Sequence, residues 1–243
     1  MKTVIEAIQS RRSIRKFDQN KPIDPETVKH CIELATLAPN SSNLQLWEFY
    51  HVVSPTKLRD LSEACLNQSA AKSAAQMVVV VVRKDLFKKR AQFNIDASIK
   101  EIKKSSPPEK VDKYIKRTKN YYSRALPFLY TYGFGLLGIV RVVIAQITGL
   151  FRPMYRQVTN ADIRIVAHKS AALAAQNFML SMDGYGLHTC PMEGFDSRLI
   201  KKHLNLPYPS EINMVIGCGI RDENNPSNSE RIRVPFDDVY YKV

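Results

Sequence analysis

The sequence predicts a layered fold in which helices and strands alternate, α+β or α/β and not a helical bundle. Three observations carry this. "MVVVVV" at residues 77–82 is an unbroken β-branched run of the kind that forms a central strand buried on both faces. "IDPETVKHCIELATLAPN" holds a full set of helix signals: Asp24 as N-cap, Pro25 at the first position, Glu26 in the first turn and Pro39 beyond the end. Segments of both kinds then follow one another along the whole chain instead of separating into halves.

Taken in order, Val4, Ile5 and Ile8 recur at helical spacing over residues 2–12 and run into a basic cluster. After the first capped helix, "WEFYHVV" (47–53) reads as a strand and "SPTKLRDLSEACLN" (54–67) as a helix begun by Ser54 and Pro55. Beyond the Val-rich strand, residues 83–124 read as charged helices broken at Pro107 and Pro108. Residues 126–151, "LPFLYTYGFGLLGIVRVVIAQITGLF", carry Arg141 as their one charge. "ADIRIVAHKSAALAAQNFMLSMDGYG" is a long Ala-rich helix stopped by Gly184 and Gly186. "LHTCPMEGFD" reads as a short strand and turn, "DSRLIKKHLNL" as a helix, "EINMVIGCGI" as a strand, and the polar remainder as a tail. No internal repeat interrupts this. One domain over 1–243 is expected, with a basic and then apolar helical insert at about 83–159.

Composition narrows the partners. The 36 Lys and Arg outnumber 23 Asp and Glu, giving +13 and a pI near 9.6. Such an excess favours anionic partners: a phosphorylated cofactor, nucleic acid or an acidic membrane surface. It is uneven, since Arg83 to Arg124 holds 14 basic against 5 acidic residues. Four separated cysteines with no CxxC pair argue against zinc and against a disulfide framework, so no metal is expected. The opening "MKTVIEAIQSRRS" lacks the apolar core of a signal peptide, and a cytoplasmic setting with reduced thiols is expected.

"RRSIRKF" (11–17) fits a solvated helix end, a nucleic-acid contact or half of a phosphate clamp. Arg11 and Arg15 lie four residues apart, which in a helix brings both onto one anion, with the Ser13 hydroxyl beside them. The phosphate reading needs a second basic site. "RIRVP" offers one, because Arg231 and Arg233 alternate about Ile232 and share one side of an extended chain. The aromatic-interleaved basic surface that reads bases is missing, so no nucleic acid is expected.

The segments "RRSIRKF", "APNSSNLQLWEFYHV", "LNQSAAKSAAQMVVVVV", "AAQNFMLSMDGYGLHTCPMEGFD", "VIGCGIRDE" and "RIRVPFDDV" occur in this order. In that order the sequence resembles the nitroreductase family of FMN-dependent oxidoreductases, over about 1–82 and 160–243. The resemblance implies an α+β fold with a central, mostly antiparallel sheet flanked by helices, and a homodimer with FMN at its interface. It places Arg11, Arg12 and Ser13 on the FMN phosphate and ribityl chain, with Arg231 and Arg233 closing the clamp. It places Arg15 near N1 and O2 of the flavin and Asn67 on the pyrimidine ring. Pro191, Met192, Glu193 and Gly194 match the turn against the isoalloxazine, with the Gly194 N–H approaching N5. Pro39, Asn40, Ser41 and Asn43 would reach the flavin of the other subunit. Leu46 departs from the family, which often has Pro before the Trp.

The activity so implied is hydride transfer from NAD(P)H to nitroaromatic, quinone or similar small oxidants in a ping-pong cycle, with no catalytic side chain. The alternatives are a specialised relative (a dehalogenase, a dehydrogenase of a biosynthetic intermediate, a flavin-cleaving enzyme) or a membrane-associated flavin-binding protein without catalysis. No GxGxxG fingerprint accompanies these motifs. His168 and Cys190 read as packing residues, and Glu193 as acting through its backbone. Tyr121, Tyr122, Tyr130 and Tyr132 fit either core or the wall of a substrate cavity. For 126–151 three readings stand: burial at the dimer interface or over the flavin, peripheral contact of 83–151 with a membrane surface, and a membrane span opposed by Arg141.

Overall fold

In a computed structural model that describes residues 2–131, 136–224 and 230–243, the Val-rich run is strand β2 (Gln76–Val82), buried at every residue. It follows β1 (Trp47–Val52) and precedes β3 (His188–Met192) and β4 (Glu211–Gly219). The sheet order is β1-β2-β4-β3 and every pairing is antiparallel, so the fold is α+β. The β2–β4 register shifts between Val80 and Val81, a bulge that bends the centre of the sheet.

Strand alternation divides β2 between two apolar layers. Val78, Val80 and Val82 meet α2 (Pro25–Ala35) and α9 (Asn160–Gly184), whose Ala171, Ala174 and Phe178 are fully buried. Met77, Val79 and Val81 meet α3 (Pro55–Ala64) and α10 (Ser197–His203). Each fully buried Val contributes on the order of 1.5–3 kcal/mol. The helix starts follow their local chemistry. The Asp24 carboxylate accepts from the N–H groups of Glu26 and Thr27, and Thr159 forms a capping box with Asp162. Helix α1 (Val4–Ser10) is capped by Thr3 and clipped to the end of α9, where Lys2 and Ser10 both hold the buried Asp183 carboxylate, at 2.9 and 2.5 Å.

The insert is helical. The short α4 (Ser69–Ser73) precedes β2, and α5 (Phe87–Ser105) and α6 (Pro108–Asn120) follow it, parted at Pro107 and Pro108 as expected. A π-helical turn over Tyr121–Ala125 leads into α7 (Leu126–Tyr130), and α8 (Leu136–Phe151) is separate. Leu44, Leu46, Phe87, Ala91 and Leu126 make a third small core under the insert, with Tyr122 and Tyr130 packed on it. Tyr132 lies outside the described residues.

The membrane-span reading of 126–151 is therefore corrected. Arg141, 1% exposed, donates to the carbonyls of Phe128 at 3.1 Å and Leu129, and to Asn160 Oδ1 at 2.6 Å. It closes the open C-terminal end of α7, and the apolar run becomes two helices. Among the described residues, no helix is long and apolar enough to cross a membrane.

Candidate functional site: an arginine-lined cavity

The segment "RRSIRKF" is not helical. Helix α1 ends at Ser10, and the chain then runs extended along the sheet edge, with Ser13 bridged to Thr189 and Phe17 to Arg221. The Ile14 N–H donates to the Thr189 carbonyl at 3.0 Å, and the Asp18 N–H to the Ile220 carbonyl at 2.8 Å. The expected one-turn spacing of Arg11 and Arg15 is thus corrected. Pairing with β3 replaces the helix, leaving Ser13 and Arg15 exposed on either side of the buried Ile14. Phe17 fixes the register. Its ring lies over Gly219, where a Cβ would meet ring atoms at 2.9 Å.

The chain's two ends meet here. A cavity of about 310 Å³ is lined by Arg11, Arg12, Ser13 and Arg15 from one end and by Arg231, Ile232 and Arg233 from the other, with Arg221 and Glu230. Arg231 donates to the carbonyls of Arg11 at 2.6 Å and Gln9 at 2.9 Å, so it also caps the end of α1. Six arginines thus face one lining carboxylate. The Arg11 guanidinium is pushed below its usual range, by burial first and then by Arg231. A cradle of like charges of this kind is completed by a polyanion, and a phosphate monoester dianion fits its chemistry.

The other expected residues are distributed around it. Pro191 and Met192 lie in β3, and Glu193 and Gly194 are exposed in the turn that follows. Asn67, at φ 55°, sits in the α3–α4 loop and lines a separate cavity with Gln19 and Lys72. Its neighbour Gln68 donates to the Gly194 carbonyl at 2.7 Å and ties that loop to the turn. Sequence reasoning missed Gln68, because no spacing or pattern marks a glutamine that only the tertiary fold brings to the turn. Burial pushes the Cys190 thiol up, away from thiolate chemistry. His168 is held between Glu211 and Asn213, at 3.1 Å from each, and does not line the arginine cavity.

Pro39, Asn40, Ser41 and Asn43 do not line this chain's own arginine cavity. Their loop holds Ser42, Asn43 and Gln45 at positive φ, a left-handed conformation that ordinary side chains disfavour. Its contacts sustain that shape. Asn40 Oδ1 accepts from the Gln45 N–H at 2.8 Å, Asn94 of α5 donates to the Asn43 carbonyl at 2.6 Å, and the Tyr122 hydroxyl donates to the Ser42 carbonyl at 3.0 Å. The insert therefore braces the loop, and Pro39, Ser41 and Asn43 stay exposed.

The family model described as "Nitroreductase family" matches residues 8–220. The chain belongs to the nitroreductase family. The match runs through 83–159, the stretch that the sequence motifs leave uncovered. Membership makes the chain a flavoprotein oxidoreductase. Among its relatives, protein DrgA of Synechocystis is 25% identical over 91% of this chain and 85% of its own length. MhqN of Bacillus subtilis, which carries a provisional NAD(P)H nitroreductase name, is 25% identical over 87% of this chain and 85% of its own. A protein from Exiguobacterium sibiricum solved in complex with FMN shares the fold, with TM-score 0.69, 19% identity, and 100% and 98% of the two chains covered.

Proposed function

We propose that the chain is an FMN-dependent oxidoreductase that draws electrons from NAD(P)H and delivers them to a small oxidant, a nitroaromatic or a quinone, in the cytoplasm. The single observation that carries this reading is the cavity where arginines from both chain ends converge with one carboxylate among them. Bound FMN would supply the redox chemistry, hydride acceptance and electron donation in a ping-pong cycle, and the residues around the cavity would hold it.

The chain's own part is binding, position and charge. Arg11, Arg12, Ser13, Arg231 and Arg233 hold the phosphate. With FMN bound, Arg15 would set positive charge at the pyrimidine edge, where reduction builds negative charge, and Asn67, outside the arginine cavity in this chain, would be the hydrogen-bonding partner of that ring. The turn from Pro191 to Gly194 supports the ring system, and Gln68 fixes the turn. Pro39, Ser41 and Asn43 are exposed on this chain and, with Asn40 shaping their loop, complete the site of a second copy, making the working unit a homodimer. Hydride transfer needs near contact, so this positioning outweighs any one side chain.

The test is spectroscopic. The purified protein should be yellow, NAD(P)H without oxygen should bleach it, and a quinone should restore the colour, with parallel lines in double-reciprocal rate plots. A yellow protein that ignores both nicotinamides overturns the enzymatic reading and leaves a flavin-binding one.

A further inference from the structure

Helix α8 is built inside out. Toward the protein it turns Gly138, Arg141 and Ala145, all buried. Away from it stand Ile139, Val143, Ile147, Leu150 and Phe151, between 50% and 84% exposed. Their spacing of three and four residues makes one stripe along the helix. A surface helix ordinarily turns such a stripe to the core. Arg141 causes the inversion, because its guanidinium must reach the free carbonyls at the end of α7, and that fixes which side of α8 faces inward. Single exposed apolar residues are ordinary, but a continuous stripe marks a surface that something covers.

We propose that this face docks the protein, in the plane of the surface, onto a bilayer containing anionic lipid. Three observations favour lipid over a second protein copy. The helix has 16 residues, about 24 Å at 1.5 Å each, too short to span and long enough to lie in the headgroup boundary. Its end carries exposed Phe151, Arg152 and Tyr155, aromatic and cationic side chains suited to that boundary. The rest of the insert is strongly basic. Lys103, Lys104, Lys113, Lys116, Arg117 and Lys119 are exposed, and among the described residues they form no ion pair. The stripe itself is uncharged, and anionic headgroups around it would meet the unpaired basic residues that the same insert carries, together with Arg152. The inference goes beyond the oxidoreductase reading and does not depend on it.

The experiment floats the full flavin-loaded chain with vesicles of phosphatidylcholine alone or mixed with phosphatidylglycerol. The protein is expected to rise with the mixed vesicles and to lose that binding in high salt. Ile147→Asp with Leu150→Asp should lower partitioning on the order of a hundredfold. Lys116→Gln with Arg117→Gln should lower it on the order of twentyfold. Flavin content and bleaching by NAD(P)H, measured on the same samples, should not change, so failure of the redox reading shows separately. Wild-type protein that stays in the buffer with both vesicle types overturns the proposal. So does an aspartate variant that floats as wild type does. A wild-type protein that ignores vesicles while the aspartate variant shifts from dimer to monomer in light scattering also overturns it, and assigns the face to contact between copies.

Discussion

Arg141 and the arginines of the cavity are the same side chain in opposite circumstances. Arg141 is enclosed, and the carbonyls of Phe128 and Leu129 with the Asn160 side chain receive its donors, so it holds helices together. The cavity arginines come from segments about 220 residues apart and face one another, with Glu230 as the lining carboxylate. The difference teaches where arginine reports a ligand. A guanidinium whose terminal nitrogens are held by carbonyls serves structure, and several that line one cavity around a single carboxylate make a seat for an anion. Arg231 stands between the two cases, since it lines the cavity and also caps α1.

Replacing Arg11 and Arg233 together by alanine should strike the second circumstance alone. Two charge-assisted contacts are each worth about 1.5–3 kcal/mol, so FMN affinity should fall on the order of a thousandfold in a fluorescence titration. Colour and cofactor stoichiometry that survive dialysis would break the distinction. Arg141→Ala should do the converse. The exposed carbonyl end of α7 and the lost side chain should cost about 3 kcal/mol in urea denaturation, with FMN affinity held. Gly219→Ala probes the support beneath the cavity. The new Cβ collides with the Phe17 ring, costs about 1–2 kcal/mol, and should weaken FMN binding severalfold by shifting the basic segment.

The smallest effect concerns Glu211, a carboxylate surrounded by cations. Burial raises its pKa, but hydrogen bonds from Lys84, His168 and Arg164 overcome that and bring it from 4.5 to about 2. A depressed carboxylate stabilises the fold above its unfolded value and loses that contribution as pH falls through the folded one. Urea midpoints should therefore drop between about pH 4.5 and 2, and Glu211→Gln should flatten that limb.

Helices α8 and α9 extend the contrast. Both were legible as apolar helical runs. In α9 the small and large apolar residues face the sheet, where Ala171, Ala174 and Phe178 are fully buried. In α8 the buried side is Gly138, Arg141 and Ala145. Composition could not tell the two apart, because the orientation of α8 follows from one hydrogen-bonding demand made by a neighbouring helix end. The basic motif at 11–17 was legible too, though its conformation was not. Its spacing suits a helix, and an edge strand recruits it instead.

What the sequence by itself determined is local. Asp24 and Pro25 start a helix, Pro107 and Pro108 break one, and six valine-rich positions make a buried strand, each through backbone groups only a few residues away. The tertiary structure alone decided that residues 11–15 and 231–233 share one cavity, that Gln68 reaches Gly194, and that α8 shows its apolar side outward. Those facts rest on strand order and on contacts between distant segments, and no short-range pattern encodes which surfaces the folded sheet brings together.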